Sequence, residues 1–146
     1  MKLRELIAKT EELSKKFDGV QVNICLNYGS RDEIVRAARQ YAQDVMRSVM
    51  QEDRLSEKEL DFDHVMSSAD LTEETFSEYL YTAGIPDPDL VIRPSGEMRL
   101  SNFLLWQSAY SEFYFTDTLW PDFTEREMDK AIVVYQKRER RFGGRR

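Results

Sequence analysis

The chain has a single cysteine, Cys25, and a single histidine, His64, among its 146 residues. One cysteine permits neither a disulfide framework nor a cysteine-rich zinc site. Any Ser-His-Asp or Cys-His arrangement would have to use His64, and no nucleophile partner is evident around it. His64 therefore reads as a surface or helix-packing residue, and Cys25 as a small hydrophobe packed from a strand. No apolar run approaches the ~18 residues of a membrane span, and the start Met-Lys-Leu-Arg-Glu is not a signal peptide. Six glycines and four prolines are too few for low-complexity disorder. Nor is there the Gly-Lys-Ser/Thr spacing of a Walker loop. The expectation is a soluble, cytoplasmic protein whose length matches one domain of about 100–200 residues. A fold of that size buries roughly 68–70% of its unfolded surface, enough for one core.

Charge is present but unevenly spread. The net value is −6, yet residues 137–146 carry six basic side chains against Glu139 alone, a local +5. The first 136 residues therefore sum to −11. An acidic body argues against a general nucleic-acid or membrane-surface binder. The basic tail is either a set of cations complementing a helix C-terminus or a device by which Arg141, before Gly143-Gly144, reaches an anion on another subunit.

Periodicity organises the rest. Leu3, Leu6, Ile7 and Leu13 mark an amphipathic helix that Asp18-Gly19 ends. Val20, Val22, Ile24, Leu26 and Tyr28 alternate with polar residues and predict a strand. Ser30 with Glu33 predicts a capping box opening a long helix with an apolar stripe of Ile34, Ala38, Tyr41, Val45 and Val49. Ser56 with Glu59 is a second capping-box candidate, and Phe62, Val65, Met66 and Leu71 suggest short helices. Thr72 starts another helix with Phe76 and Leu80 inward, stopped by Gly84 and Pro86. Residues 89–93 and 112–115 read as strands, with a helix near Asn102–Ser108 between them. Thr124 with Glu127 opens the last helix, whose stripe is Met128, Ile132 and Tyr135, and Gly143-Gly144 closes it. Strands separated by helices predict an α/β fold with a mostly parallel sheet flanked by helices. About three strands make a narrow sheet with exposed edges, so either another chain completes the sheet or part of the domain lies outside these residues.

The densest chemistry lies in Arg93-Pro94-Ser95-Gly96-Glu97-Met98-Arg99-Leu100-Ser101-Asn102, between a strand and a helix. Ligands of open α/β sheets sit beyond the carboxyl ends of strands. Arg93, Arg99 and Ser101 there offer two guanidinium forks and a hydroxyl, which suit a phosphate or diphosphate. The alternative is a solvated loop whose arginines pair with Glu97 or neighbouring acids. Glu112 sits in an aromatic stretch with Trp106, Tyr110, Phe113, Tyr114, Phe115 and Trp120, residues that read as core. It is either a structural ion-pair member or, if it faces the arginines' pocket, a ligand for Mg²⁺.

These residues also carry a resemblance. Arg93 to Phe123 (RPSGEMRLSNFLLWQSAYSEFYFTDTLWPDF), Asn27 to Ile34 (NYGSRDEI) and Arg138 to Gly144 (RERRFGG) resemble, in order, three blocks of the cis-prenyltransferases, most nearly the bacterial undecaprenyl diphosphate synthase branch. The resemblance covers essentially the whole chain. It implies a Mg²⁺-dependent transferase that condenses isopentenyl diphosphate onto an allylic diphosphate, usually farnesyl diphosphate. It also implies that Arg93, Arg99 and Ser101 hold the isopentenyl diphosphate and that Glu112 helps place Mg²⁺. Arg141 and Gly143 match an Arg-x-Gly element that reaches this site across a homodimer. Peripheral membrane contact would come through the lipid product, and no nucleic acid is involved.

Two departures stand out. The family's Asp-Gly-Asn-Gly-Arg-Trp-Ala segment, which carries the catalytic Asp, appears nowhere in these residues. Pro94 and Ser30 replace a Thr and a Gly often seen in the family. Residues 1–146 thus resemble the C-terminal portion of one cis-prenyltransferase domain, lacking the family's N-terminal strands, and are expected to be inactive by themselves. Two further readings are a non-catalytic subunit lending Arg141-Phe142-Gly143 to an active chain, and a plain anion-binding dimerisation module.

Overall fold

A computed structural model describes residues 2–56 and 69–138. Helix α1 (Leu3–Ser14) is followed by an extended segment and then the long helix α2 (Ser30–Ser56). A short helix α3 (Glu73–Ser77) leads to strand β1 (Leu90–Arg93) and, after a series of turns, strand β2 (Glu112–Phe115). One 3₁₀ turn (Trp120–Asp122) precedes helix α4 (Glu125–Gln136). The two strands are parallel, in the register Leu90 to Glu112, Val91 to Phe113, Ile92 to Tyr114 and Arg93 to Phe115. The architecture is α/β with a small parallel sheet, as the alternation of elements implied. No helix among the described residues is long and apolar enough to cross a membrane.

A small core joins α2 to the region after α3. Ala37, Phe76 and Leu80 are buried, with Ile34, Tyr79 and Trp106 packed around them. The Phe76 and Trp106 rings stand 4.7 Å apart between centroids, an aromatic contact that adds to the area they remove from water. Thr72 caps α3 by accepting from the Thr75 amide at 3.1 Å. The predicted inward pair Phe76 and Leu80 is correct. On α2 the inward alanine is Ala37, while the predicted Ala38 is exposed.

Several local expectations are overturned. Residues 20–28 form no strand: Val20, Val22, Ile24 and Leu26 are 93%, 74%, 77% and 58% exposed, and Cys25 is exposed rather than packed. Alternation marks a segment able to pair, but strand structure needs a neighbouring edge, and among the described residues none pairs with it. Helix α1 forms as predicted yet buries none of its residues. The turns at 101–110 replace the expected helix, because Ser101, Asn102 and Leu104 hold left-handed φ values of 49°, 64° and 46°. Right-handed helix cannot run through them.

The ends of helices differ too. Helix α2 runs to Ser56, and the capping box expected of Ser56 with Glu59 lies outside the described residues. On α4, Ala131 is buried with Glu127 and Tyr135 half-buried beside it, whereas Met128 and Ile132 are 43% and 40% exposed. The inward stripe is thus one residue earlier over most of the helix than predicted, since it follows the side facing β2 and Thr118. Helix α4 stops at Gln136. Tyr110 and Trp120, expected in the core, are 78% and 72% exposed. Glu59, Phe62, His64, Val65, Met66, Arg141, Gly143 and Gly144 lie outside the described residues.

Candidate functional site

The anion-binding candidates lie at the carboxyl end of β1. Arg93 closes the strand and turns into a loop that is tied down on both sides. Ser95 and Gly96 hold consecutive left-handed φ values of 77° and 70°. Their amides donate to the carbonyls of Thr118 and Thr116, each at 2.9 Å. A Cβ at position 96 would stand 3.0 Å from the Asp117 carboxylate, so glycine serves there on two counts. These bonds have a chemical consequence. Pro94 has no amide, and the next two amides are turned toward residues 116–118. Residues 94–96 therefore offer no backbone nest of free amides.

The candidate side chains are partly assembled. The Arg93 guanidinium donates to Ser101 Oγ at 3.4 Å, and no carboxylate pairs with it among the described residues. Arg99 pairs with Glu97 at 2.5 Å, with the two side chains 67% and 38% exposed. This is the solvated alternative raised by the sequence, realised for one arginine of the two. An exposed pair of this kind is worth about 0–1 kcal/mol, less than a charge-assisted bond to phosphate, so Arg99 remains available to an incoming anion.

The far side of the loop rests on the start of α2. Ser30 is fully buried, its amide donates to the Asn102 carbonyl at 2.8 Å, and its hydroxyl accepts from the Leu105 amide at 3.0 Å. The Arg31 amide donates to Asn102 Oδ1 at 2.9 Å. Ser30 and Glu33 consequently form no reciprocal capping box. The cap comes from a loop more than seventy residues away, and both side chains are used elsewhere. Left-handed Ser101 and Leu104 each cost on the order of 1–3 kcal/mol, and these bonds to α2 are what hold them there.

Glu33 is fully buried and central. It accepts from the Tyr28 hydroxyl, from the Tyr81 amide at 2.7 Å and from Gln107 Nε2 at 3.3–3.4 Å. Gln107 also donates to Thr82 Oγ1 at 2.9 Å. No cation pairs with Glu33 among the described residues. Three donors from three segments thus converge on one carboxylate, a set that sequence reasoning missed. One signal was available: Gln107 interrupts an otherwise apolar run from Phe103 to Trp106, and a polar residue in such a run needs a buried partner.

Burial, followed by the bond to Glu33, raises the Tyr28 phenol from 10.0 to about 12. The folded state then keeps a proton that the unfolded chain releases between pH 10 and 12. This contribution to stability is whole below about pH 10 and is lost as pH rises to about 12. Denaturant unfolding of Tyr28→Phe across that range should show a shallower loss than the unaltered chain. The loss should not vanish, because Tyr79 is raised too, chiefly by burial. Identical slopes would show that Tyr28 does not titrate in this network.

Glu112 belongs to a different place. It opens β2 opposite Leu90, whereas Arg93 pairs with Phe115, so about 10 Å of strand separates the two ends. Its carboxylate accepts from Arg138 at 2.5 Å. The ion-pair reading of Glu112 is therefore present in the structure, and the arginine loop and Glu112 are not brought together within this chain. Arg138, the second residue of the basic tail, lies at the same amino end of β2. The described residues include no cluster of three or more metal-ligating side chains.

Comparison with known proteins gives this geometry its context. A family model described as undecaprenyl diphosphate synthase matches residues 1–143. An isoprenyl transferase of Fusobacterium nucleatum is 52% identical over 143 residues, covering 98% of this chain and 52% of the relative. Lavandulyl diphosphate synthase from Lavandula x intermedia, solved in complex with dimethylallyl diphosphate, superposes with a TM-score of 0.80 at 39% identity, over 97% of this chain and 54% of that one. A probable undecaprenyl diphosphate synthase from Campylobacter jejuni superposes with a TM-score of 0.69, also at 39% identity, over 97% of this chain and 56% of that one. The chain spans about half the length of the relatives it matches.

Proposed function

The chain belongs to the undecaprenyl diphosphate synthase family, the cis-prenyltransferases, and we propose that it supplies the isopentenyl diphosphate site of such an enzyme. The observation that carries this reading is the Arg93 guanidinium, which has no carboxylate partner among the described residues and is held beside Ser101 at the carboxyl end of a parallel strand with Arg99 six residues on. Two forks and a hydroxyl match the oxygens of a diphosphate. The similarity to a synthase solved with dimethylallyl diphosphate supports the same substrate class.

In the proposed reaction the allylic carbon–oxygen bond breaks and diphosphate leaves with the electron pair. The isopentenyl double bond attacks that carbon, and a proton is lost. Arg93, Arg99 and Ser101 bind and orient the isopentenyl diphosphate, which fixes the position of its double bond relative to the allylic partner. They do no bond-breaking themselves. The proposal includes Mg²⁺ for the condensation, where it would stabilise charge on the departing diphosphate. Within one chain the residues do not fit a single Mg²⁺ shared between Glu112 and a diphosphate at Arg93, because the two lie at opposite ends of the strands.

The proposed assembly is a homodimer in which Arg141 and Gly143 serve the partner's site. The departure of the basic tail from Arg138, beside Glu112 and away from Arg93, supports that reading. The catalytic Asp segment of the family is absent from these residues. The 146-residue chain should therefore bind isopentenyl diphosphate in calorimetry but form no product with labelled isopentenyl diphosphate, farnesyl diphosphate and Mg²⁺. Product formation would overturn the proposed division of labour, and absence of binding would overturn the site.

A further inference from the structure

The loop carrying Arg93, Arg99 and Ser101 is fixed at one end by Ser95 and Gly96 on residues 116–118, and at the other by Asn102 on α2. We propose that Asn102 is the positioning residue of this diphosphate loop and that Gly29 leaves the room its carboxamide occupies, an inference that rests on the functional reading of Arg93 and Ser101 given above.

Asn102 meets three demands at once. Its φ of 64° is left-handed, a conformation that asparagine tolerates better than most residues. Its carbonyl accepts from the Ser30 amide and its side-chain oxygen accepts from the Arg31 amide, so it caps a 27-residue helix with two bonds. The peptide that leaves this clamp carries Ser101, whose hydroxyl stands 3.4 Å from the Arg93 guanidinium. A long helix anchored in the core by Ala37 and Val49 is a rigid platform, so a residue clamped to its first turn inherits that rigidity. Without the clamp, Ser101 loses its fixed height above Arg93, and the two donors no longer present one diphosphate-sized spacing.

Gly29 completes the device. A Cβ there would stand 2.8 Å from Asn102 Nδ2. At that distance the carboxamide must give way, a small shift for the free end of a side chain, but one made against its Oδ1 bond to the Arg31 amide. The positions are far apart in sequence yet act through one contact, which makes them separable by a double-mutant cycle.

The test compares the unaltered 146-residue chain with Asn102→Ala, Gly29→Ala and the double variant. Two readouts are needed: calorimetric affinity for inorganic diphosphate, and backbone amide exchange over residues 99–105. Asn102→Ala should weaken diphosphate about tenfold, the loss of one capping interaction, and speed exchange in the loop, and Gly29→Ala should act in the same direction by a smaller factor. Exchange in β1 and β2 should be unchanged, which a general loss of structure would not allow. The double variant should match Asn102→Ala, because no carboxamide is left for the new methyl group to strike. If Asn102→Ala does not fold, Asn102→Gly takes its place, since glycine accepts the left-handed backbone. Losses that multiply in the double variant would overturn the coupling. An Asn102→Ala chain within twofold of the parent, with unchanged loop exchange, would overturn the positioning role. Should the unaltered chain bind no diphosphate, the functional reading fails, and loop exchange across the cycle decides the positioning role by itself.

Discussion

Arg93→Ala should weaken binding of isopentenyl diphosphate and of inorganic diphosphate by about a hundredfold. Hydrogen bonds to charged groups contribute about 1.5–3 kcal/mol, and 1.4 kcal/mol is a factor of ten in affinity. Arg93 stands out because it has no carboxylate partner among the described residues to compete with the ligand, unlike Arg99, which must first leave Glu97. Arg99→Ala should therefore cost less, nearer tenfold. Folding should be nearly unaffected by either change, since the observed partners are one long bond to Ser101 and one exposed ion pair. Calorimetry on the chain, with thermal unfolding as the control, distinguishes the outcomes. An Arg93→Ala chain that binds diphosphate within threefold of the parent would remove this loop from the site. In an enzyme containing the whole family domain, the same change should appear mainly in KM for isopentenyl diphosphate.

Glu33→Leu should lower stability by about 3–5 kcal/mol. The leucine fills a similar volume but leaves the Tyr81 amide and the Tyr28 hydroxyl without their acceptor and Gln107 Nε2 with Thr82 Oγ1 alone. Each buried donor left unpaired costs about 1–3 kcal/mol, and the total is a large part of the 5–15 kcal/mol that holds a typical domain folded. Glu33→Gln keeps one acceptor oxygen and should lose less than half as much. Urea unfolding of both variants tests this. A leucine variant within 1 kcal/mol of the parent would mean that the three donors find other partners and that Glu33 does not organise the region.

These two residues also mark the boundary between what was readable in the chain and what was not. Arg93 was legible because its signal is local: an apolar run ending in arginine, then Pro-Ser-Gly, places a guanidinium at the mouth of a strand whatever surrounds it. Its neighbours Arg99 and Ser101 follow from the same stretch. Glu33 was misread because its local signal was a different one. A Ser followed three residues later by Glu at the start of a helical pattern suggests a capping box, and nothing within that window shows that Asn102 will occupy the cap.

The sequence by itself determined the places of helices α1 to α4, both strands of the sheet, the arginine-bearing loop, the uneven charge and the family blocks. Each of these is encoded within a few residues, through periodicity, turn chemistry or a run of specific side chains. Only the tertiary structure decided that Val20 to Leu26 stay exposed, that Glu33 is a buried acceptor and that Glu112 sits with Arg138 at the end of the strands away from Arg93. The physical reason is the same in each case. A strand needs an edge to pair with, a buried carboxylate needs donors from other segments, and the distance between two side chains depends on strand register, and none of the three is a property of a local window.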